Sequence, residues 1–167
     1  MQKIDLDPAC ELVGQATRFE RPWSAERISR VLVGSGWQPT GSVTLPYPKR
    51  LLREGLALGI ESEDESVVLG VTLAQWSAGA ESDAVVADEY AAAIRECGEL
   101  SSRLVAALGR EYEVEAESMV LDRDDYFFVH SVGWKVADVH LVIGVEHVHP
   151  DDTPVELCLY VVDAESA

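Results

Sequence analysis

Apolar residues recur along the chain at two spacings, one typical of helices and one of strands. The segment "RPWSAERISRVLVGSGW" (21–37) has helical spacing, with an apolar stripe formed by Trp23, Ile28, Val31 and Leu32. Ser24 is the predicted N-cap, and Gly34 or Gly36 is the predicted end of the helix. Trp37 follows directly and is expected to pack back on the stripe. A weaker helical pattern over 7–18 predicts another helix before this one.

The longest helical pattern covers residues 84–108, with Ser82 or Asp83 as the predicted cap and Gly109 as the predicted end. Its apolar stripe comprises Val86, Tyr90, Ile94, Cys97, Leu100 or Ser101, Leu104 and Leu108. A helix of this length rises about 1.5 Å per residue and can cross a whole sheet. We therefore expect it to cover the core side of the sheet.

Strict alternation of apolar and polar residues predicts a hairpin of strands 54–62 and 67–76. The residues expected on its buried face are Leu56, Leu58, Ile60, Val67, Leu69, Val71 and Leu73. The segment 38–50 before it is predicted as loop, with at most a short edge strand at 42–45, because Pro46 and Pro48 cannot sit in a central strand.

Further strands are predicted at 111–121, 126–132, 135–148 and 155–163. Strands joined by short loops pair antiparallel. The element order is thus α-α-β-β-α-β-β-β-β. We predict a single α+β domain over residues 1–167, an antiparallel sheet with helices packed on one face.

The predicted strand at 111–121 opens with a row of carboxylates. Glutamate occupies every second position, alternating with Tyr112, Val114 and Ala116. Because successive side chains of a strand point to opposite faces, one face should carry the acids and the other should pack on the long helix. The row consists of Glu111, Glu113, Glu115 and Glu117.

The net charge of the chain limits the classes of partner that it is expected to bind. Thirty Asp and Glu against thirteen Lys and Arg give a net charge of −17 over 167 residues. Such a field repels nucleic acid and anionic membranes, and it speeds encounter with basic proteins. Acidity also keeps proteins soluble, which is an alternative reason for it. The absence of asparagine and the excess of arginine over lysine are typical of a GC-rich genome, and we expect an actinobacterial source.

Histidines cluster late in the chain, and "HVHP" places His147 and His149 on one strand face. Zinc would need a third ligand, for which His130, Asp151 or Asp152 are the candidates. Two histidines facing solvent near a strand end are the simpler interpretation. We therefore predict no metal, no cofactor and no catalytic residue.

Cys158 is the candidate nucleophile, because it follows the "HPDDTP" turn after the histidines. If His149 lies opposite Pro154, Glu156 faces His147 directly and Cys158 is its diagonal neighbour. A one-residue slip of register would separate them. An inert, packed thiol is the interpretation that we favour, because a lone cysteine is usually one.

The acids remain as the predicted contact surface for a basic protein. The predicted partner-binding residues are the row and the hairpin turn, namely Glu111, Glu113, Glu115, Glu117, Glu63, Asp64 and Glu65. Like charges on one strand face repel only weakly through water, so the fold tolerates such a row. A basic groove laid across it would convert that repulsion into attraction.

Three features of the sequence suggest a resemblance to known proteins. They are the short helix ending in "GSGW", the hairpin, and the terminal strands including "VGWKVADVHLVIGVE". It resembles the small, strongly acidic α+β immunity proteins encoded beside polymorphic toxins in actinobacteria. The resemblance implies a cytoplasmic antitoxin that blocks a toxin domain, and it assigns no functional residue. The alternatives are a secretion chaperone, which should present an apolar groove and dimerise, and a metal-dependent enzyme built on His147 and His149.

Overall fold

The computed structural model describes residues 4–41, 47–63, 66–76, 83–118, 128–147 and 154–164. Within these ranges the chain forms three helices and one eight-stranded antiparallel sheet, which confirms the predicted α+β class and the order of the three helices in the chain, with two strands more than predicted. The helices are α1 (Asp7–Ala16), α2 (Ala25–Gly34) and α3 (Asp83–Leu108). The strands are β1 (Gln38–Pro39), β2 (Arg50–Arg53), β3 (Leu56–Glu63), β4 (Ser66–Trp76), β5 (Val114–Glu117), β6 (Phe128–Val136), β7 (Val139–Glu146) and β8 (Val155–Asp163).

The strand order is β1-β2-β3-β4-β8-β7-β6-β5, so two antiparallel meanders meet where β4 pairs with β8. Helix α3 joins the end of β4 near the centre of the sheet to β5 at its edge. On the way it contacts β6, β7 and β8. This placement confirms that the long helix crosses the sheet.

The two faces of the sheet have different surroundings. The helices and one face share a large apolar core, to which Leu58, Leu69, Ile143 and Leu159 belong. We call this the helix face. A smaller cluster of Val68, Val142, Cys158, Tyr160 and Val162 lies on the opposite face. Among the described residues no helix contributes to this second cluster, and we call its side of the sheet the outer face.

Helix α2 begins as predicted, since the Ser24 hydroxyl accepts a hydrogen bond from the Arg27 backbone N–H. Trp37 is buried, and its backbone N–H donates to the Leu32 carbonyl at 3.1 Å. Val31 is half exposed, so its predicted place on the buried stripe is wrong. The helix is rotated so that Ser29 faces inwards, where its hydroxyl donates to the Pro48 carbonyl at 2.9 Å.

Among the described side chains of α3, the buried stripe differs from the predicted one at Ile94, and the side chain of Val86 lies outside the described residues. Cys97, Leu100, Leu104 and Leu108 are buried, but Ile94 is 36% exposed. Its neighbour Ala93 is fully buried in its place. A small residue at this position lets the helix approach the sheet closely, which turns Ile94 towards the rim.

The hairpin β3–β4 is confirmed, with the predicted apolar positions buried on the helix face. The segment before it contains the strands β1 and β2, where the sequence predicted a loop. Strand β2 is joined to β3 by the two-residue turn Glu54–Gly55, and both turn residues have positive φ, 51° and 86°. Paired positive φ angles suit the twist of a tight hairpin. The edge strand predicted at 42–45 lies outside the described residues.

The predicted break between strands at 133–134 is also wrong. Strand β6 continues to Val136, and the turn lies at Ala137 and Asp138, where Ala137 has a φ of 51°. The shifted boundary places Trp134 within β6, opposite Leu141 on the helix face.

Candidate functional site on the outer face of the sheet

The predicted carboxylate row is not one continuous strand. Strand β5 begins only at Val114, and Glu111 lies in the turn that ends α3. The backbone N–H groups of Glu111 and Tyr112 donate to the Leu108 carbonyl at 3.0 and 2.9 Å. Because the last carbonyls of a helix have no partner within the helix, the first residues of the row cap α3 instead of extending the strand. Residues 119–121 of the predicted strand lie outside the described residues.

The alternation nevertheless holds over most of the row. Tyr112 and Val114 pack against the core, and Glu113 and Glu115 are exposed. Ala116 is exposed, so its predicted core position is wrong. The row's acids differ in their contacts, because Glu117 is half-buried.

Glu117 places its Oε2 atom 2.5 Å from Nδ1 of His140 on β7. By contrast, no ion pair joins Glu111, Glu113 or Glu115 to another residue in the part of the chain that the structure describes. Three acids of the row are therefore available to a partner, and the fourth has one within the fold.

The second acidic group of the sequence is only partly described. Glu63 ends β3 with its backbone opposite Ser66. The side chain of Glu63, and Asp64 and Glu65 entirely, lie outside the described residues.

His147 is buried under α3 and does not face solvent as expected. It is 4% exposed, and its Nδ1 atom lies 2.6 Å from the hydroxyl oxygen of Tyr90 on α3. The two rings meet edge to face at 5.6 Å. His149, Asp151 and Asp152 lie outside the described residues, and the described residues contain no group of three His, Cys, Asp or Glu placed to hold a metal.

The structure separates Cys158 from His147. Glu146 lies opposite Glu156, and Gly144 lies opposite Cys158, so the β7–β8 register is one residue away from the one that would pair them. The histidine thus points to the helix face and the thiol to the outer face. Burial and the nearby charges of Glu146 and Glu156 raise the pKa of Cys158, the reverse of what a nucleophilic thiolate requires.

The same register creates a cavity on the outer face that the sequence did not predict. Its volume is about 550 Å³. Glu146 and Glu156 lie directly across from each other on β7 and β8, and Glu61 comes from β3. Arg50 on β2 is exposed at the cavity's border. The lining of the cavity includes Arg50, Gly59, Glu61, Glu146, Glu156 and Tyr160.

Glycines on three strands make room for this cavity and for the rings beside it. A Cβ atom on Gly144 would lie 2.2 Å from the Phe128 ring, and one on Gly70 would lie 3.0 Å from the Tyr160 ring. These two rings therefore lie directly on the sheet and meet each other edge to face at 5.9 Å. Above Gly59 the nearest atom to such a Cβ is the Gly70 carbonyl oxygen at 3.8 Å, so the cavity is open there.

Glu146 is the most unusual group of the cavity. Its side chain is 4% exposed, and its Oε1 atom has no hydrogen-bond partner among the described residues. Burial raises the pKa of this carboxyl to about 7, the charges of Glu156 and Glu61 raise it further, and a hydrogen bond with Tyr160 opposes them. Glu61 lies on β3, three strands away from β7 in the sheet, and lines the same cavity as Glu146.

Glu156 has a hydrogen-bond donor at each of its carboxylate oxygens, unlike Glu146. Gln75 on β4 donates its side-chain N–H to Oε1 of Glu156, and the Cys158 thiol donates to Oε2 at 3.9 Å. The cavity therefore contains one carboxylate with both oxygens engaged and one with an oxygen that lacks a donor. The signal for this in the sequence is slight: Glu146 ends the apolar run "LVIGV", and Glu156 interrupts the apolar β8.

Comparison of the chain with protein-family models, with curated proteins and with solved structures finds no match in any of the three. In the part of the chain that the structure describes, no helix is long and apolar enough to span a membrane.

Proposed function

We propose that this protein is a non-catalytic protein-binding module, an immunity protein that neutralises a basic toxin domain in the cytoplasm. One observation carries the proposal: the strand registers bring five carboxylates from four strands to the outer face. The five are Glu61, Glu115, Glu117, Glu146 and Glu156. Among the described strand residues of this face, the lysines and arginines are Arg50 and Lys135.

An acidic face that contains a cavity is suited to a basic partner. Opposite potentials steer the encounter of two proteins and select against wrong partners, more than they add to the final affinity. The net charge of −17 extends this attraction beyond the face itself. An immunity protein needs fast association, because a free toxin domain damages its own host.

The secretion chaperone is the second candidate from the sequence. It would need a large apolar groove for an unfolded segment. The exposed large apolar residues of the described chain are instead distributed over α2, β2, α3 and β6. They are Val31, Val33, Leu52, Ile94 and Val129. No observation on the described residues favours the chaperone over the immunity protein, and the metal-dependent enzyme finds no support in the buried His147–Tyr90 contact.

The test begins with a pull-down from the native host, using the full chain as bait and identifying bound proteins by mass spectrometry. A basic toxin domain encoded beside this gene is the expected partner. The association rate is then measured for the double variant Glu61→Gln/Glu115→Gln. We expect association to slow several-fold at low salt, with less effect on dissociation, because exposed charges act mainly on the on-rate.

The matched control removes two charges from the exposed side of α3 with Asp88→Asn/Glu99→Gln. This variant has the same net charge as the first, so it separates the outer face from the overall field. We expect little change in the association rate. Equal slowing in both variants would assign the attraction to net charge alone, and unchanged association of the first variant would exclude the outer face as the contact.

A further inference from the structure

The cavity around Glu146 has the features of a binding site for one particular organic cation. We propose that it binds an alkyl guanidinium group, and that Oε1 of Glu146 accepts a hydrogen bond from it. Where the guanidinium belongs to an arginine of a protein, this inference rests on the proposed function. Where it belongs to a free small molecule, it is independent of that function.

The charge of the cavity favours a cation. Its lining holds the carboxyl groups of Glu61, Glu146 and Glu156 against the single guanidinium of Arg50. Arg50 is exposed at the border, whereas Glu146 is 4% exposed. A buried carboxylate beside others of its kind is stabilised by an opposite charge at close range.

The oxygen of Glu146 that has no hydrogen-bond partner is a second, independent reason to expect a ligand in the cavity. Buried polar atoms in folded proteins almost always have a hydrogen-bond partner, because leaving one unsatisfied is unfavourable. Here the described residues provide no donor to Oε1. A ligand with N–H groups would complete the carboxylate's hydrogen bonds once the Glu146 side chain turns Oε1 towards the cavity, because this oxygen has almost no accessible surface in the structure.

The shape of the site favours guanidinium over ammonium. Guanidinium is planar, presents five donors and is more weakly hydrated than an ammonium group, so less hydration is lost when it enters a buried site. Glu146 and Glu156 lie directly opposite each other on neighbouring strands, where Cβ atoms are about 5 Å apart. A planar fork can span that separation. The ring of Tyr160 adjoins the site and offers the kind of surface on which guanidinium groups stack.

The volume of the cavity also selects the ligand class. At about 550 Å³ it exceeds the space of one metal ion and accommodates an aliphatic chain with its head group. Strands β3 and β4 form a floor of glycine backbone at Gly59 and Gly70. The stem of an alkyl guanidine would lie along this floor, with its charged end at Glu146.

Nuclear magnetic resonance titration of the full chain at low salt tests the proposal with N-acetyl-arginine methylamide. The matched control ligand is the citrulline counterpart, which has a urea group in place of guanidinium and the same length. We expect the arginine compound to shift the amide signals of β7 and β8, and the citrulline compound to bind at least about tenfold more weakly. Equal binding of the two, or no saturable shift by either, would overturn the proposal.

Two variants locate the site. Glu146→Gln removes the charge and should weaken arginine binding at least about tenfold, and Gly59→Val places a side chain in the open part of the cavity and should block it. Glu113→Gln removes an exposed charge elsewhere and should bind like the parent. Circular dichroism confirms the fold of each variant. If Gly59→Val and a folded Glu146→Gln bind as tightly as the parent, the guanidinium does not occupy this cavity.

The pH dependence of arginine binding is a further test. It should respond to the ionisation of Glu146 only if this carboxylate contacts the ligand. The groups facing Glu146 are Glu156, Cys158 and Tyr160 from β8 and Glu61 from β3. Because the cation prefers the ionised carboxylate, affinity should rise between about pH 6 and 8 in the parent and stay level in Glu146→Gln. A level profile in the parent would contradict the role of Glu146.

The source of the group is decided by comparing agmatine with the tripeptide Gly-Arg-Gly. Tighter binding of agmatine assigns the site to a free alkyl guanidine, and tighter binding of the peptide assigns it to an arginine of a protein. Failure of both probes overturns the cavity proposal while leaving the acidic outer face as a contact surface untouched. Slower partner association in the single variant Glu115→Gln, which lies on the outer face but not in the lining of the cavity, tests that surface separately.

Discussion

At the scale of single residues, Glu146 links the electrostatics of the outer face to the stability of the fold. Its pKa of about 7 lies above the ordinary value of 4.5 because the carboxyl is buried beside Glu156 and Glu61. The folded chain therefore holds a proton between these pH values that the unfolded chain has released. Folding stability must fall as pH rises through this window, because the unfolded state then binds fewer protons than the folded one.

We predict that Glu146→Gln is more stable than the parent above pH 7, by up to roughly 3 kcal/mol, and differs little near pH 4. Glutamine keeps the size of the side chain and removes the charge that burial disfavours. Urea unfolding at pH 4, 6 and 8 measures the difference, with Glu113→Gln as the exposed control. Parallel pH profiles for Glu146→Gln and the parent would mean that this carboxyl is not the source of the pH dependence.

At the scale of elements, α3 is held by one narrow stripe of side chains. Leu104 is 1% exposed and Ile94 is 36% exposed, although both were expected on the buried side. Ala93 replaces Ile94 at the contact with the sheet. The two large residues therefore form a matched pair on one helix, one in the core and one at its rim.

We predict that Leu104→Ala lowers the free energy of unfolding by about 2–5 kcal/mol, because it removes packed methyl groups and leaves a cavity. Ile94→Ala should lower it by less than about 1 kcal/mol, because solvent already reaches this side chain. Chemical denaturation of both variants at pH 7 gives the comparison. Equal losses at the two sites would show that the helix buries a broader face than the structure has.

At the scale of the whole molecule, carboxylates dominate the electrostatic field. Of the exposed acids of the row, Glu115 adds to the field of the outer face at the edge of the sheet, whereas Glu111 lines a pocket between α1 and the end of α3. Glu117 belongs to the fold, because it contacts His140. The row is thus divided: Glu115 and Glu117 continue the acidic outer face at its edge, and Glu111 lies beside the helices.

We predict that the triple variant Glu111→Gln/Glu113→Gln/Glu115→Gln associates more slowly with a basic partner and melts no lower than the parent. The difference in association should shrink with added salt, because the Debye length falls from about 10 Å at 0.1 M to about 3 Å at 1 M. Stopped-flow association and thermal melts measure the two effects. Unchanged association at low salt would leave the row as a solvated surface and place the contact elsewhere on the outer face.

Much of the fold could be predicted from local sequence patterns. Particular residues show which features could be predicted in this way and which could not. Leu58 and Leu69 could be assigned to a buried face because alternation within one strand is enough to decide it. Ser24 could be assigned as a cap because capping involves only the next few residues. Glu111 could not be placed, since its single backbone N–H can donate either to a neighbouring strand or to a carbonyl at the end of α3. The candidate site was missed for a different reason: no residue of the cavity is distinctive by itself.

The sequence by itself determined the α+β class, the crossing helix and the common face of Glu115 and Glu117, because helical and strand periodicities are read within a single element. Only the tertiary structure decided the pairing of Glu146 with Glu156, the separation of Cys158 from His147, and the cavity between β3 and β8. A shift of one residue between β7 and β8 would exchange the two faces, and alternation within either strand is unchanged by such a shift. The register comes from packing across the whole sheet, so the charge environment of Glu146 exists only in the folded molecule.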